Sequence, residues 1–368
     1  MEEMVTIFEK LQGTYSGKRV FLTGHTGFKG SWLLKVLSMI GAEVKGFSLP
    51  PKRESDLYNL IQGDSLCNSV IADLRDQNRL LSEIVSFKPD YVFHLAAQPL
   101  VRLSYEAPKD TFEVNSLGTA YLLEAIRSLK NKCSVVLITT DKVYHNYEWI
   151  YPYRESDRLG GYDPYSASKA CSELIIDSYR SSFFNLDNYV DHQKSIAVAR
   201  AGNVIGGGDW SEDRLLPDII NSFRQNQVLT LRNPKAIRPW QHVLEPLFGY
   251  LLLGLKCNES PLEFSQPFNF GPRDSDVLSV DEIVKLALLI LGRGSYQCDK
   301  VDEQPHEAQL LKLDISKSMS VLGWCPLLSS YEAVKLTIDW YKIYLEGKED
   351  IVSITENTIK NFWDKKYV

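Results

Sequence analysis

Through the first 205 residues, short unbroken apolar runs alternate with amphipathic stretches of helical period. Arg19-Val-Phe-Leu-Thr23, Glu43-Val-Lys-Gly-Phe47, Val70-Ile-Ala-Asp73, Tyr91-Val-Phe-His-Leu-Ala-Ala97, Ser134-Val-Val-Leu-Ile-Thr-Thr140 and Ser195-Ile-Ala-Val-Ala-Arg200 read as strands. Ser31–Ile40, Phe112–Leu129 and Tyr165–Arg180 carry the helical pattern between them. Strands that are apolar throughout, not alternating, predict a parallel sheet covered by helices on both faces. Right-handed crossovers then make this a doubly wound α/β fold of the Rossmann type. After Gly206 the rhythm breaks: Gly206-Gly-Gly-Asp209 reads as a loop, and Val228–Leu231 and Pro267–Phe270 are shorter strands. The expectation is a main domain over 14–205 with later returns to it. A smaller ligand-binding lobe over 206–368 follows, with a soft boundary.

Composition narrows the class. The chain has 368 residues, 44% hydrophobic and 24% charged, which excludes a largely disordered protein. A net charge of −6 with no basic tract argues against a nucleic-acid partner. The apolar run Ile283–Leu291 is broken by Lys285 and is too short to span a bilayer. Met1–Lys18 has no apolar segment of signal-peptide type. The six cysteines lack CxxC or CxxH spacing and read as reduced thiols, neither staples nor zinc ligands. No metal is expected, and a cytoplasmic location is.

Gly24-His-Thr-Gly27-Phe-Lys-Gly30 follows the first strand and opens the first helix. In that setting the first glycine permits a tight turn and the second lets the backbone approach a pyrophosphate. The third lets the helix pack on the strand, while the helix N–H groups face the anion. Dinucleotide binding is the expectation. The second strand ends Gly46-Phe-Ser48, without an Asp or Glu for the ribose hydroxyls; Arg53 beyond it offers a 2′-phosphate partner or a solvated side chain. Asp73 either meets an adenine edge or caps its strand. His25 is expected to line the cofactor pocket without chemistry.

A lysine four residues after a tyrosine shares its helix face, and the ammonium draws the phenol toward general-base service. The spacing occurs five times: Tyr105/Lys109, Tyr165/Lys169, Tyr296/Lys300, Tyr331/Lys335 and Tyr344/Lys348. Pro108 interrupts the first, and the last three lie outside the dinucleotide-binding half. Tyr165/Lys169 follows a parallel strand whose end, Thr139-Thr140-Asp141-Lys142, puts polar groups at the ligand-binding edge of the sheet. It is the expected catalytic pair.

The glycine loop, the strand ending His94-Leu-Ala-Ala97, Thr140 and Tyr165-x-x-x-Lys169 together resemble the extended short-chain dehydrogenase/reductase (NAD-dependent epimerase/dehydratase) superfamily. Within it, GHTGFKGSWL (24–33), HLAAQPLVRLSY (94–105), GGYDPYSASKACSEL (160–174), RAGNVIGGGDW (200–210) and RNPKAIRPWQHVLEPL (232–247) resemble the CDP-glucose 4,6-dehydratase family. The likeness runs over nearly the whole chain. Thr140-Asp141-Lys142 stands where sugar-nucleotide dehydratases usually carry Thr-Asp-Glu, and the lysine is the mark of the CDP-glucose branch.

The resemblance implies a lyase that uses NAD on a nucleotide sugar. Tyr165 would take the C4 hydroxyl proton as hydride passes from C4 to NAD. The new ketone acidifies the C5 proton, water leaves from C6, and hydride returns to C6 to give a 4-keto-6-deoxy sugar. Thr140 would hold the C4 oxygen, and Asp141 and Lys142 would supply the acid and base. Their separate roles stay open, because mutual attraction moves each pKa away from what its role needs. The implied cofactor contacts are Gly24, Thr26, Gly27, Phe28, Lys29, Gly30, Ser48, Asp73, Leu74, Ala96, Ala97, Gln98, Asn115, Tyr165, Lys169 and Arg200. The implied substrate contacts are Asn203, Arg214, Arg232, Arg238 and His306, with Asp209-Trp210 in the same cleft and the arginines suited to a diphosphate. A homodimer or dimer of dimers through a four-helix bundle is implied as well. It would bury Val114, Leu117, Tyr121 and Leu122 against Ala170, Leu174, Ile175 and Tyr179. Alternatives are a dehydratase or 4-epimerase for another nucleotide sugar, or an NAD-binding sensor without catalysis, since a fold does not fix a function.

Overall fold

Seven of the apolar runs pair as parallel strands: β1 (Arg19–Thr23), β2 (Glu43–Ser48), β3 (Asn68–Ile71), β4 (Tyr91–His94), β5 (Cys133–Ile138), β6 (Lys194–Ala201) and β7 (Pro267–Phe270). The structure is a computed structural model that describes residues 7–231, 233–298, 310–347 and 349–365. The sheet order is β7-β6-β5-β4-β1-β2-β3, every neighbouring pair parallel. The chain winds outward from β1 to β3, returns to β4 and winds outward the other way. That is the doubly wound order, and the reversal between β1 and β4 opens a crevice at the strands' C-terminal ends.

Both faces of the sheet are covered, which is why its strands are apolar throughout. On one face Val20, Leu22, Phe93, Val136 and Ala197 meet Trp32, Leu33 and Val36 of α1 (Phe28–Ile40). Their alternates Phe21, Val92, Val135, Leu137 and Ile196 meet Leu122, Leu123 and Ile126 of α2 (Gly118–Arg127) and Ile176 of α3 (Pro164–Ser182) on the other. The late part of the chain completes this body. Leu247, Tyr250 and Leu251 of α4 (Leu244–Glu259) pack on the first face, and Trp324 joins the same core. Short ladders pair Val204–Ile205 with Gln241–His242, Ile237–Arg238 with Leu278–Ser279, and Leu229–Leu231 with Tyr296–Cys298.

Two local features set the site. The Asp163 carboxylate caps α3 by accepting the Ser166 N–H (3.0 Å), and Pro164 occupies its first turn, so Tyr165 sits at the helix start beside the strand ends. The helix expected over 112–129 begins at Pro108 and passes through a π turn, Glu113–Leu117, into α2. Such turns free backbone carbonyls and concentrate at functional sites. Among the described residues no helix is long and apolar enough to cross a membrane.

Candidate active site

The phosphate loop links β1 to α1. Gly24 takes φ +75°, and a Cβ there would lie 2.8 Å from the Ala96 nitrogen. At Gly30 a Cβ would come within 1.9 Å of the Gly24 carbonyl, so the close seating of α1 on the loop requires glycine. Gly27 is the N-cap and supplies no side-chain cap, so the first-turn N–H groups of α1 are left for an anion. Thr26 Oγ1 donates to the Leu49 carbonyl (2.7 Å) and lies 2.9 Å from Ser48 Oγ, bringing loop and β2 end together. Asp73, past β3, accepts two hydrogen bonds from the Arg75 guanidinium (3.0 and 2.7 Å), which holds its pKa below the usual carboxylate range. Leu74 is buried beneath Gly118. This crevice fits a dinucleotide: an uncapped helix start, a glycine cradle and polar strand ends. Arg53 is turned away from it, donating to the Trp210 carbonyl (2.6 Å) and Glu212 (3.1 Å).

Beyond β4, Ala96 N–H donates to Thr23 Oγ1, which lies 2.8 Å from His94 Nδ1. Ala97 leads on to Gln98. Asn115, in the π turn, binds both sides: its Oδ1 accepts the Gln98 N–H (2.8 Å), and its Nδ2 donates to the Gln98 carbonyl (3.0 Å) and Ser168 Oγ (2.9 Å). Its own carbonyl accepts the Ser172 hydroxyl. Asn115 thus ties the β4 loop to α3.

Tyr165 and Lys169 are both buried on the same face of α3. Burial pushes the Tyr165 phenol up to about 12, outweighing the Thr140 hydrogen bond and the Arg214 charge that favour its ionised form. This reverses the direction expected from the Tyr-Lys spacing. Lys169 Nζ donates to the Ile138 carbonyl (3.1 Å), and burial brings its pKa down to about 8 against the pull of Glu173. At the β5 end, Thr140 Oγ1 donates to Asp141 Oδ1 (2.9 Å), and Lys142 Nζ reaches Asp141 Oδ1 and Asn203 Oδ1, each at 3.5 Å. Asp141 is 1% exposed, and its other oxygen, Oδ2, has no hydrogen-bond partner. Lys142 pairs with this carboxylate at 3.5 Å, and the Lys29 ammonium lies within electrostatic reach of it. Arg214 also pairs with Asp209 (3.3 Å).

Several expectations are corrected. Arg200 is not available to a cofactor. Its guanidinium pairs with both oxygens of Glu173 (2.9 and 3.0 Å) and donates to Tyr144 OH and the Glu155 carbonyl. His25 is fully buried beneath the loop, its ring against Gly46 and its Nε2 2.8 Å from Ser69 Oγ, so it lines no open pocket. Trp210 packs edge-on to Tyr341 inside the core and not in the cleft. Arg238 is buried in its ladder and donates to the Ile237 carbonyl. Arg232 and His306 lie outside the described residues. Glu173 was missed. It accepts Thr139 Oγ1 (2.6 Å) as well as Arg200, and the i, i+4, i+8 series Tyr165, Lys169, Glu173 on one helix face was its signal.

The family model for GDP-mannose 4,6 dehydratase matches residues 21–250. The CDP-glucose 4,6-dehydratase of Salmonella typhimurium is 47% identical over 348 residues, covering 95% of this chain and 97% of that protein. The CDP-paratose 2-epimerase of Salmonella typhi is 27% identical, over 88% of this chain and 98% of its own. In fold, the dTDP-glucose 4,6-dehydratase of Streptomyces venezuelae, solved with NAD bound, superposes with a TM-score of 0.76 at 23% identity, over 90% of this chain and 99% of that one. The chain belongs to the nucleotide-sugar 4,6-dehydratase family of extended short-chain dehydrogenases/reductases.

Proposed function

We propose that the protein is an NAD-dependent CDP-glucose 4,6-dehydratase, a lyase that makes CDP-4-keto-6-deoxy-glucose. The observation that carries this reading is the Thr140-Asp141-Lys142 turn, a buried carboxylate with a lysine 3.5 Å away, set beside Tyr165 and Lys169. An epimerase needs the tyrosine and lysine alone; elimination needs a further acid and base. The 47% identity to a CDP-glucose enzyme supports the choice of nucleotide.

NAD supplies a hydride acceptor for C4 and a donor for C6; Gly24, Thr26, Gly27, Phe28, Gly30, Ser48 and Asp73 would hold it. The engagement of Arg53 with Trp210 and Glu212 favours NAD over its 2′-phosphate form. Thr140 and Tyr165 meet the sugar's C4 oxygen, and Tyr165 takes its proton. Arg214 and Thr140 are the groups that favour the phenolate this step requires. With C4 a ketone, Asp141 and Lys142 serve C5 and C6: one removes the C5 proton, the other protonates the departing C6 hydroxide. Asn203 steers Lys142, and Arg214, Arg232 and His306 are assigned to the substrate. The cofactor is assigned mainly to residues 14–205 and the nucleotide sugar mainly to 206–368.

The assembly is proposed as a homodimer, or a dimer of dimers, through the outer faces of α2 and α3. Leu117 and Leu174 are 44% and 60% exposed there, while Leu122 and Ala170 face inward and drop out of the expected interface. Six free cysteines fit a cytoplasmic setting. The test is incubation with CDP-, dTDP- and UDP-glucose and GDP-mannose, followed by the alkali-induced absorbance of a 4-keto sugar. CDP-glucose should give the strongest signal. A preference for another substrate, or no signal from any, would overturn the reading.

A further inference from the structure

The Thr140-Asp141-Lys142 turn holds its own side chains loosely. Lys142 Nζ stands 3.5 Å from both Asp141 Oδ1 and Asn203 Oδ1, and the Lys142 N–H reaches Thr140 Oγ1 at 3.4 Å. Asp141 Oδ2 has no partner. The aim of these groups therefore depends on the backbone that carries them. That backbone is held from outside, on both flanks, by one buried ion pair.

On the entry side, Thr139 Oγ1 donates to Glu173 Oε1 (2.6 Å). On the exit side stands Tyr144, the residue that closes the turn. Its hydroxyl accepts from Arg200 Nη1 (2.9 Å) and donates to Asn269 Oδ1 (2.7 Å). Arg200 and Glu173 complete the circuit through two hydrogen bonds of 2.9 and 3.0 Å. Thr139, Tyr144, Glu173, Arg200 and Asn269 are all buried, none more than 6% exposed. Asn269 is fixed in turn: its Nδ2 donates to the Tyr153 and Asp314 carbonyls (2.9 and 3.0 Å), which leaves Oδ1 to face Tyr144. Burial raises the pKa of the Tyr144 phenol, so it keeps the proton it donates. The partners of that hydroxyl are protein atoms, so Tyr144 acts on the turn and not on the sugar. The circuit joins β5, β6, β7 and α3 around the turn, and in so dry a setting each hydrogen bond is strong and directional.

We propose that Tyr144 and Thr139 are positioning residues for the elimination: they clamp the two flanks of the turn to the Glu173–Arg200 pair and so fix Asp141 and Lys142 for their work at C5 and C6. This rests on the dehydratase reading. Tyr165 and Lys169 are carried by α3 itself, so oxidation at C4 depends on the clamp less than loss of water does.

Tyr144→Phe removes the hydroxyl alone. The ring keeps its stack on Tyr153 (5.3 Å between centroids, 14° between planes), the backbone keeps its bridge to Leu159, and Arg200 keeps Glu173 and the Glu155 carbonyl. With the turn released on one flank, kcat for the 4-keto sugar should fall by about tenfold or more. KM for CDP-glucose should change little. Near-ultraviolet absorbance of reduced cofactor should build up during turnover, because C4 is oxidised faster than water is lost. Thr139→Val removes the other flank's hydroxyl at constant shape and should do the same, whereas Thr139→Ser keeps the hydroxyl and should stay near wild type. Near-normal kcat in both Tyr144→Phe and Thr139→Val would overturn the proposal. So would a fall without reduced cofactor, which marks a general loss of structure, or a defect in Thr139→Ser equal to that of Thr139→Val. A readout independent of turnover is amide hydrogen exchange in the resting protein, followed by mass spectrometry. The peptide spanning 139–145 should exchange faster in Tyr144→Phe and Thr139→Val, with the rest of the chain unchanged. Unchanged protection there, or faster exchange throughout, would overturn the clamp. If wild type yields no 4-keto sugar the dehydratase reading fails and the role in elimination with it, whereas the exchange result still decides the clamp; normal kcat in the variants alone leaves that reading intact.

Discussion

Replacing Glu173 by Gln separates the electrostatics of the catalytic helix from its packing. Glutamine keeps the size, so no cavity opens, but Arg200 is left charged and 2% exposed without its carboxylate. Removing one partner of a buried pair costs about 3–5 kcal/mol. With an unfolding entropy of roughly 2.1 cal/mol/K per residue, a chain of 368 residues should then melt about 4–6 °C lower. A second effect follows from Lys169, whose pKa of about 8 is a balance in which burial lowers it and Glu173 raises it. Without Glu173 the balance falls below 8, so the ammonium is lost at lower pH. The alkaline limb of the kcat/KM profile should move toward neutrality, with the acid limb in place. Thermal scans by circular dichroism and a pH series of initial rates measure both. Melting within a degree of wild type together with an unmoved alkaline limb would refute the reasoning.

Tyr165→Phe keeps the ring and removes the hydroxyl, so NAD binding should persist while turnover falls by roughly 10²–10⁴-fold. Near-normal turnover would return the choice to the other four Tyr-Lys pairs. Lys142→Met should permit oxidation at C4 but block loss of water, so near-ultraviolet absorbance of reduced cofactor should build up with CDP-glucose; wild-type elimination rates would remove this lysine from the mechanism. Leu174→Glu puts a charge on the exposed face of α3 and should shift the protein toward monomer in sedimentation, with an unchanged far-ultraviolet spectrum. A wild-type protein that is already monomeric at micromolar concentration would remove the bundle interface.

The sheet was legible because a strand buried on both faces has no polar alternate to hide it; Arg19–Thr23 and Pro267–Phe270 fall where the apolar runs placed them. Thr140, Asp141, Lys142, Tyr165 and Lys169 could be gathered from sequence because parallel topology brings strand ends and helix starts to one edge. What pattern could not reveal was which way a polar group on a buried strand turns. Arg200 sits at the end of β6 in a motif suggesting a ligand, yet Glu173, 27 positions earlier, consumes its guanidinium. His25 lies in the phosphate loop, but the space above Gly46 draws its ring inward. Leu122 fits an apolar row on a helix drawn as regular from end to end. The π turn at Glu113–Leu117 adds a residue to that helix and changes which face meets solvent. The direction of the Tyr165 shift was missed for another reason. Spacing shows that a lysine is near, while burial, a property of the whole fold, decides the sign.

The migration of the C4 hydrogen tests the dehydratase reading most directly. CDP-glucose carrying deuterium at C4 should yield a product lighter by one water, with the deuterium at C6 by mass spectrometry and proton NMR. Deuterium retained at C4, or a product of unchanged mass, would contradict an internal redox elimination and point to epimerisation or to binding without chemistry.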